Sequence, residues 1–187
     1  MTPELKICGV NDAAFAAEAE RLGANYLGFI FAPGTPRAVT PEQVTGIVRG
    51  LSGSARRVGV FVKQSPEEIV SIMRQVGLDI VQLHRRASSE DVAAIRSAGY
   101  EVWTLAGGVS GDGVLFDSSH GDGETVLRKG DYKGILAGGI SVDNLAVACL
   151  AEPDVIDVSG SLESSRGVKS IPLLRAFIVS WNESRRK

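Results

Sequence analysis

The chain has 187 residues, 44% hydrophobic and 22% charged, with a formal net charge of −2. That size supports a sizeable buried core, and the near-neutral balance provides no basic field for nucleic acid or an anionic membrane. The two cysteines, Cys8 and Cys149, show no metal-ligand spacing and no disulfide framework, and no apolar run has the length of a leader or a membrane span. The expectation is one cytoplasmic domain over residues 1–187 in a reducing compartment.

Short apolar runs alternate with longer amphipathic ones. Residues 5–8 read as a first strand that ends on a thiol and a glycine, Cys8-Gly9. Asn11 can cap the helix that follows, with Phe15, Ala19 and Leu22 on its apolar face and Gly23 as its stop. Residues 25–31 read as a second strand, apolar on both faces as in a covered parallel sheet. A loop over 32–39 follows, with Arg37 as its one charge. Thr40-Pro41-Glu42-Gln43 and Ser65-Pro66-Glu67-Glu68 are capping boxes with proline at the first helical position. They open helices that end near Leu51 and Gly77, on either side of a third strand at 57–62. A fourth strand covers 79–84. Ser88, with Asp91 three residues on, opens a helix ending near Gly99.

After a fifth strand at 101–105 only residues 106–113 precede the sixth at 114–117. A parallel crossover usually needs a dozen or more residues. The connection is therefore a compressed loop without a helix or an antiparallel hairpin, and the parallel rhythm on both sides favours the loop. A short helix fits at 124–129, a seventh strand at 135–137, a helix capped by Ser141 up to Leu150, and an eighth strand at 155–158. A polar loop over 159–169 leads to a closing helix from Ser170, with Leu173, Leu174, Phe177 and Ile178 facing inward.

Eight β/α units, with the helix after the fifth strand reduced to a loop, point to an α/β fold of the (β/α)₈ TIM barrel type. An open doubly wound sheet is the alternative, weakened because no glycine-rich dinucleotide fingerprint follows the first strand. In a barrel, chemistry sits at the carboxyl ends of the strands, where Cys8, His84, Asp117 and Asp157 fall. On its own stretch alone Cys8 reads first as a small core residue. His84 reads as a satisfied strand-end histidine rather than a mouth residue. Gly138-Gly139 and Ser159-Gly160-Ser161 end the seventh and eighth strands, the place where this fold holds phosphate. No cluster suits a metal, and no cofactor is expected.

Lys6-Ile7-Cys8-Gly9 resembles the opening of phosphoribosylanthranilate isomerases. So do the stretch from Gly28 to Arg37, Val58-Gly59-Val60-Phe61-Val62, Val81-Gln82-Leu83-His84, Leu136-Ala137-Gly138-Gly139-Ile140, and Asp157-Val158-Ser159-Gly160-Ser161 with Gly167-Val168-Lys169, in that order. The chain departs from the pattern at Arg85, where the family usually has glycine, and at residues 118–123. The resemblance implies an Amadori rearrangement of N-(5′-phosphoribosyl)anthranilate to 1-(2-carboxyphenylamino)-1-deoxyribulose 5-phosphate, in tryptophan biosynthesis. It implies Cys8 as general base, Asp117 as general acid and Arg37 on the anthranilate carboxylate.

Asp157 joins the expected substrate-binding set with Gly138, Gly139, Ser159, Gly160 and Ser161. Its negative charge could keep Asp117 protonated, and the Lys6 cation, two residues before Cys8, could make the thiol more acidic. The related histidine-pathway isomerase uses an aspartate on the first strand, so Cys8 argues against it. A phosphosugar-binding protein without catalysis is the rival from another class. The expected partner is a small phosphorylated substrate, with no nucleic acid and no membrane, for a monomer or homodimer.

Overall fold

The computed structural model describes residues 2–117 and 133–184. Among them eight parallel strands close into one barrel in chain order: β1 (Glu4–Cys8), β2 (Tyr26–Ile30), β3 (Arg56–Phe61), β4 (Ile80–Leu83), β5 (Glu101–Leu105), β6 (Gly113–Asp117), β7 (Ile135–Ala137) and β8 (Val155–Val158). The open sheet is thereby excluded. β8 pairs back onto β1 with Lys6 opposite Asp157, so the first and last strands share the seam that becomes the site. The 124–129 helix and the 118–123 loop lie outside the described residues.

The helices form where caps and apolar spacing agree. α2 (Pro41–Val48), α3 (Pro66–Val76) and α4 (Ser89–Ser97) each start on the expected capping box, from Thr40, Ser65 and Ser88. α1 (Ala13–Arg21) is capped by Asp12, whose side chain accepts from Phe15 N–H. Asn11 does not cap it and instead donates to the Gly167 carbonyl across the mouth. Ser141 starts no helix either. α5 (Leu145–Leu150) has its N-cap three residues later at Asn144, with no side-chain cap bond, because Asn144 Oδ1 accepts from Ser141 N–H while its Nδ2 donates to the Gly139 carbonyl. In α6 (Ile171–Ser184), Leu174, Phe177, Ile178 and Trp181 are buried, whereas Leu173 faces solvent. The 159–169 segment is structured: a 3₁₀ turn (Gly160–Leu162) leads into an antiparallel pair, β9 (Glu163–Ser165) and β10 (Val168–Lys169).

β5 and β6 pair parallel, which removes the hairpin alternative and leaves residues 106–112 as a helix-less crossover. Thr104 holds it, donating to the Val109 carbonyl and accepting from Gly111 N–H. Asp112 adds a bond from Val102 N–H and an exposed pair with Arg96.

Two apolar layers result. One packs helices against the outer strand faces, with Phe15, Leu27, Phe29, Phe61, Met73, Leu136 and Phe177 among its members. The other fills the barrel, with Tyr26, Val58, Ile80, Trp103, Leu115 and Ile135 below Cys8 and Ala137. The Tyr26 and Trp103 rings meet edge to face at 5.1 Å and plug the amino-terminal end. Trp103 dictates glycine at position 113, where a Cβ would lie 2.6 Å from its Cδ1. The carboxyl end stays open and polar.

Candidate active site

Along β1 the side chains of Lys6 and Cys8 point into the barrel and Leu5 and Ile7 point out, as the two-residue period of a strand requires. Lys6 is fully buried, and its Nζ lies 2.6 Å from Asp157 Oδ2. Burial works against the ammonium, but Asp157 and then Cys8 outweigh it and hold its pKa above the ordinary value. Burial pushes the Asp157 carboxyl above its ordinary value, with the Lys6 ammonium at 2.6 Å opposing the rise.

Cys8 is 8% exposed. Burial pushes its thiol above the ordinary value, Lys6 pulls it down, and Asp157 pushes it up again. The Lys6 cation acts on the thiol in the expected direction, but it is shared with Asp157 and outweighed by burial. Gly28, in register with Cys8 on β2, leaves the thiol its room. A Cβ there would sit 3.0 Å from Cys8 Sγ and 3.2 Å from Lys6 Nζ.

Asp117 ends β6 and faces the same cavity of about 940 Å³. His84 Nε2 is 3.4 Å from its Oδ2, so His84 is a mouth residue rather than the strand-end histidine expected. Asp157 Oδ2 pairs with Lys6, and Asp117 pairs with His84.

Arg37 also lines the cavity, but its fork is already taken. Nε donates to Glu163 Oε1 at 2.6 Å and Nη2 to Oε2 at 3.0 Å. Glu163 further accepts from Gly167 N–H and from Lys169 Nζ. Burial pushes the Glu163 carboxyl up, but Arg37, the Gly167 amide and Lys169 together bring it down to about 2. Burial lowers the Lys169 ammonium, with Glu163 opposing. Two cations around one buried carboxylate leave one net positive charge at this side of the mouth. The expected bidentate grip of Arg37 on a ligand carboxylate is thus made by Glu163 within the protein. Gly9, at φ +71°, permits this packing, since a Cβ there would meet Arg37 Cδ at 2.7 Å.

Gly138 and Gly139, both at positive φ, line the cavity with Ser159, Gly160 and Ser161. Their bare backbone lets an anion approach closely. Ser159 Oγ donates to the Cys8 carbonyl and Ser161 Oγ to the Ile140 carbonyl, which ties the seventh and eighth loops to the first. Sequence reasoning missed Glu163 and Lys169 as site residues; the available signal was an acid and a base in an otherwise Ser/Gly-rich loop after a barrel strand. Gln82, inside β4, was also missed. Among the described residues no group of three His, Cys, Asp or Glu side chains is placed to hold a metal, and no helix is long and apolar enough to cross a membrane.

A closed barrel whose mouth sets a thiol and a carboxyl around one sugar-sized cavity, beside a glycine-rich anion cradle, is the architecture of an acid–base enzyme of the (β/α)₈ class. The sequence pattern of the family described as N-(5′-phosphoribosyl)anthranilate (PRA) isomerase matches residues 5–180, and the chain belongs to this family. An N-(5′-phosphoribosyl)anthranilate isomerase of Granulibacter bethesdensis is 32% identical over 203 residues, covering 95% of this chain and 97% of the relative. The crystal structure of the Thermus thermophilus phosphoribosyl anthranilate isomerase superposes with a TM-score of 0.88 at 32% identity, covering 97% and 100% of the two chains. A second such isomerase, solved in complex with reduced 1-(o-carboxyphenylamino)-1-deoxyribulose 5-phosphate, gives a TM-score of 0.81 at 26% identity, covering 97% and 99%.

Proposed function

We propose that this protein isomerises N-(5′-phosphoribosyl)anthranilate to 1-(2-carboxyphenylamino)-1-deoxyribulose 5-phosphate in the tryptophan pathway, as a cytoplasmic enzyme whose whole chain serves one active site. Family membership over residues 5–180 supports the reaction, and the observation that carries the mechanism is the convergence of Cys8 and Asp117 on one cavity. Opening the furanose ring needs a proton at the ring oxygen, and removal of the C2′ proton from the resulting Schiff base needs a base. Asp117 gives the first proton. His84, at 3.4 Å, holds the carboxyl in place. Cys8, as the thiolate, takes the second proton, and the enolamine becomes the 2′-ketone as C1′ gains a proton and the 2′-hydroxyl gives one up.

Lys6 fixes the charge beneath Cys8 and favours the thiolate at the moment the base is needed. The phosphate lies between Gly138-Gly139 and Ser159-Gly160-Ser161. The anthranilate carboxylate meets the net positive charge of the Arg37–Glu163–Lys169 cluster, approaching the Nη1 side of Arg37 that Glu163 leaves open. Asp157 Oδ1, which is buried without a partner among the described residues, accepts from the 2′-hydroxyl.

The test is turnover of N-(5′-phosphoribosyl)anthranilate followed by loss of substrate fluorescence. Cys8→Ser and Asp117→Asn should each lose at least about a hundredfold in kcat, the usual worth of a general acid or base, and still bind substrate. Full activity in both variants refutes the mechanism.

A further inference from the structure

Gln82 has an amide oxygen with no hydrogen-bond partner among the described residues, although the residue is 2% exposed. It sits on the inner face of β4, in register with Val60 on β3 and Trp103 on β5. Val60 has no side-chain donor, and the indole N–H of Trp103 is committed to Glu101 Oε1. The neighbouring strands thus offer Gln82 Oε1 nothing, and a buried amide oxygen without a donor destabilises the free protein. Gln82 lines the same cavity as Cys8, Asp117 and Asp157. β4 stands four strands from β8 in the closed order, so Gln82 and Asp157, each with one buried and unpartnered oxygen, line the cavity from opposite walls. Two orphaned acceptors across a cavity call for a ligand that donates on two sides, which is the chemistry of a polyol.

The proposed isomerisation assigns the donors, and the role of Gln82 rests on that reading. The ring oxygen belongs to Asp117. C2′ and its hydroxyl lie at Cys8 and Asp157. The remaining secondary hydroxyl of the ribosyl group is the one on C3′. We infer that Gln82 is a substrate-binding residue that accepts a hydrogen bond from the substrate's 3′-hydroxyl and so selects ribosyl over 3′-deoxyribosyl substrates. The barrel carries the unpaired oxygen in the free state because the substrate completes it.

The test is a two-by-two comparison of wild type and Gln82→Met, which keeps the side-chain length and removes the amide, on N-(5′-phosphoribosyl)anthranilate and its 3′-deoxy analogue. The analogue keeps C2′–H, the 2′-hydroxyl and the ring oxygen, so the chemistry is unimpaired. Wild type should lose about tenfold in kcat/KM on the analogue, the net value of a neutral hydrogen bond. Gln82→Met should lose about the same factor on the native substrate and show no further drop on the analogue. Its melting temperature should rise, because an orphaned polar group has been replaced by an apolar one. The inference is overturned if Gln82→Met keeps full kcat/KM, or if it discriminates against the analogue as strongly as wild type does. A lowered melting temperature with unchanged 3′ selectivity would make Gln82 a structural residue and overturn it equally. A wild type that turns over neither substrate fails at the isomerase reading itself, whereas the inference fails only with an active wild type.

Discussion

Replacing Asp157 with asparagine should make Cys8 a stronger acid. In the native protein the fully buried Lys6 ammonium has Asp157 at 2.6 Å as its counterion, while the same aspartate opposes ionisation of Cys8. Asparagine keeps the shape and removes the charge. Leaving a buried charge uncompensated costs about 3–5 kcal/mol. Lys6 can recover part of that cost by drawing a proton off the neighbouring thiol. If about half is recovered, at 1.36 kcal/mol per unit the thiol pKa falls by about 1–2 pH units. The rate of Cys8 alkylation by iodoacetamide against pH, measured in a Cys149→Ser background so that one thiol reports, gives the value directly. The acid limb of the kcat/KM profile should move down with it. A thiol pKa that stays or rises would mean that Lys6 sheds its own proton instead, and the account of Lys6 as the charge beneath the base would be refuted.

Gly28→Ala introduces a methyl 3.0 Å from Cys8 Sγ and 3.2 Å from the Cys8 Cα. The thiol must move by several tenths of an ångström, so kcat should fall about 10–100-fold, with a stability cost of about 1–3 kcal/mol; steady-state kinetics and urea melts read both, and an unchanged kcat contradicts the close packing of thiol and glycine. Glu163 has a folded-state pKa of about 2, below that of an unfolded carboxyl, so its contribution is complete above the unfolded value and is lost as pH falls from about 4.5 towards 2. Glu163→Gln should therefore flatten the acid limb of stability in that window, seen in melts from pH 6 downward, and raise KM by loosening Arg37. Glu20, at the opposite end of the barrel, accepts from the backbone N–H groups of Ser52, Gly53 and Ala55 and from Ser52 Oγ. Glu20→Ala strands those donors and should cost about 3 kcal/mol, a fall in melting temperature of roughly 6–12 °C, with kcat at room temperature unaltered; a kcat loss as large as that of Gly28→Ala would contradict the division between a stabilising bottom and a catalytic top.

Much of the frame was legible because it is local. Thr40, Ser65 and Ser88 announce their helices through bonds that span three residues, and the alternation of Lys6 and Cys8 with Ile7 puts the first two on one face of β1, while only the closed barrel makes that face the inner one. What failed was decided by partners far away. Asn11 has the chemistry of a cap, but Gly167 lies close enough to take its amide, and Asp12 caps instead. Leu173 belongs to an apolar run, yet the helix phase set by Leu174, Phe177 and Trp181 turns it outward. For Arg37 the fold adds a partner rather than removing the expected one: Glu163 holds Nε and Nη2 of its fork, which no sequence pattern shows. Gln82 carried no sequence signal as a site residue, because an inward glutamine on a strand becomes conspicuous only when its neighbours prove unable to satisfy it.

The clasp across the mouth has a further consequence for how the protein is made. The contacts that finish the site join residues far apart along the chain: Lys6 with Asp157, Arg37 with Glu163, Asn11 with Gly167. On a ribosome, Lys6 emerges 151 residues before its counterion Asp157, and Arg37 emerges 126 residues before its partner Glu163. Until then a nascent barrel holds a bare lysine and an unfastened arginine at its open seam, and chains generally gain stable structure as whole domains. A product that stops short of Glu163 therefore leaves Arg37 without its partner, and the clasp closes only once β8 and the turn after it have been made.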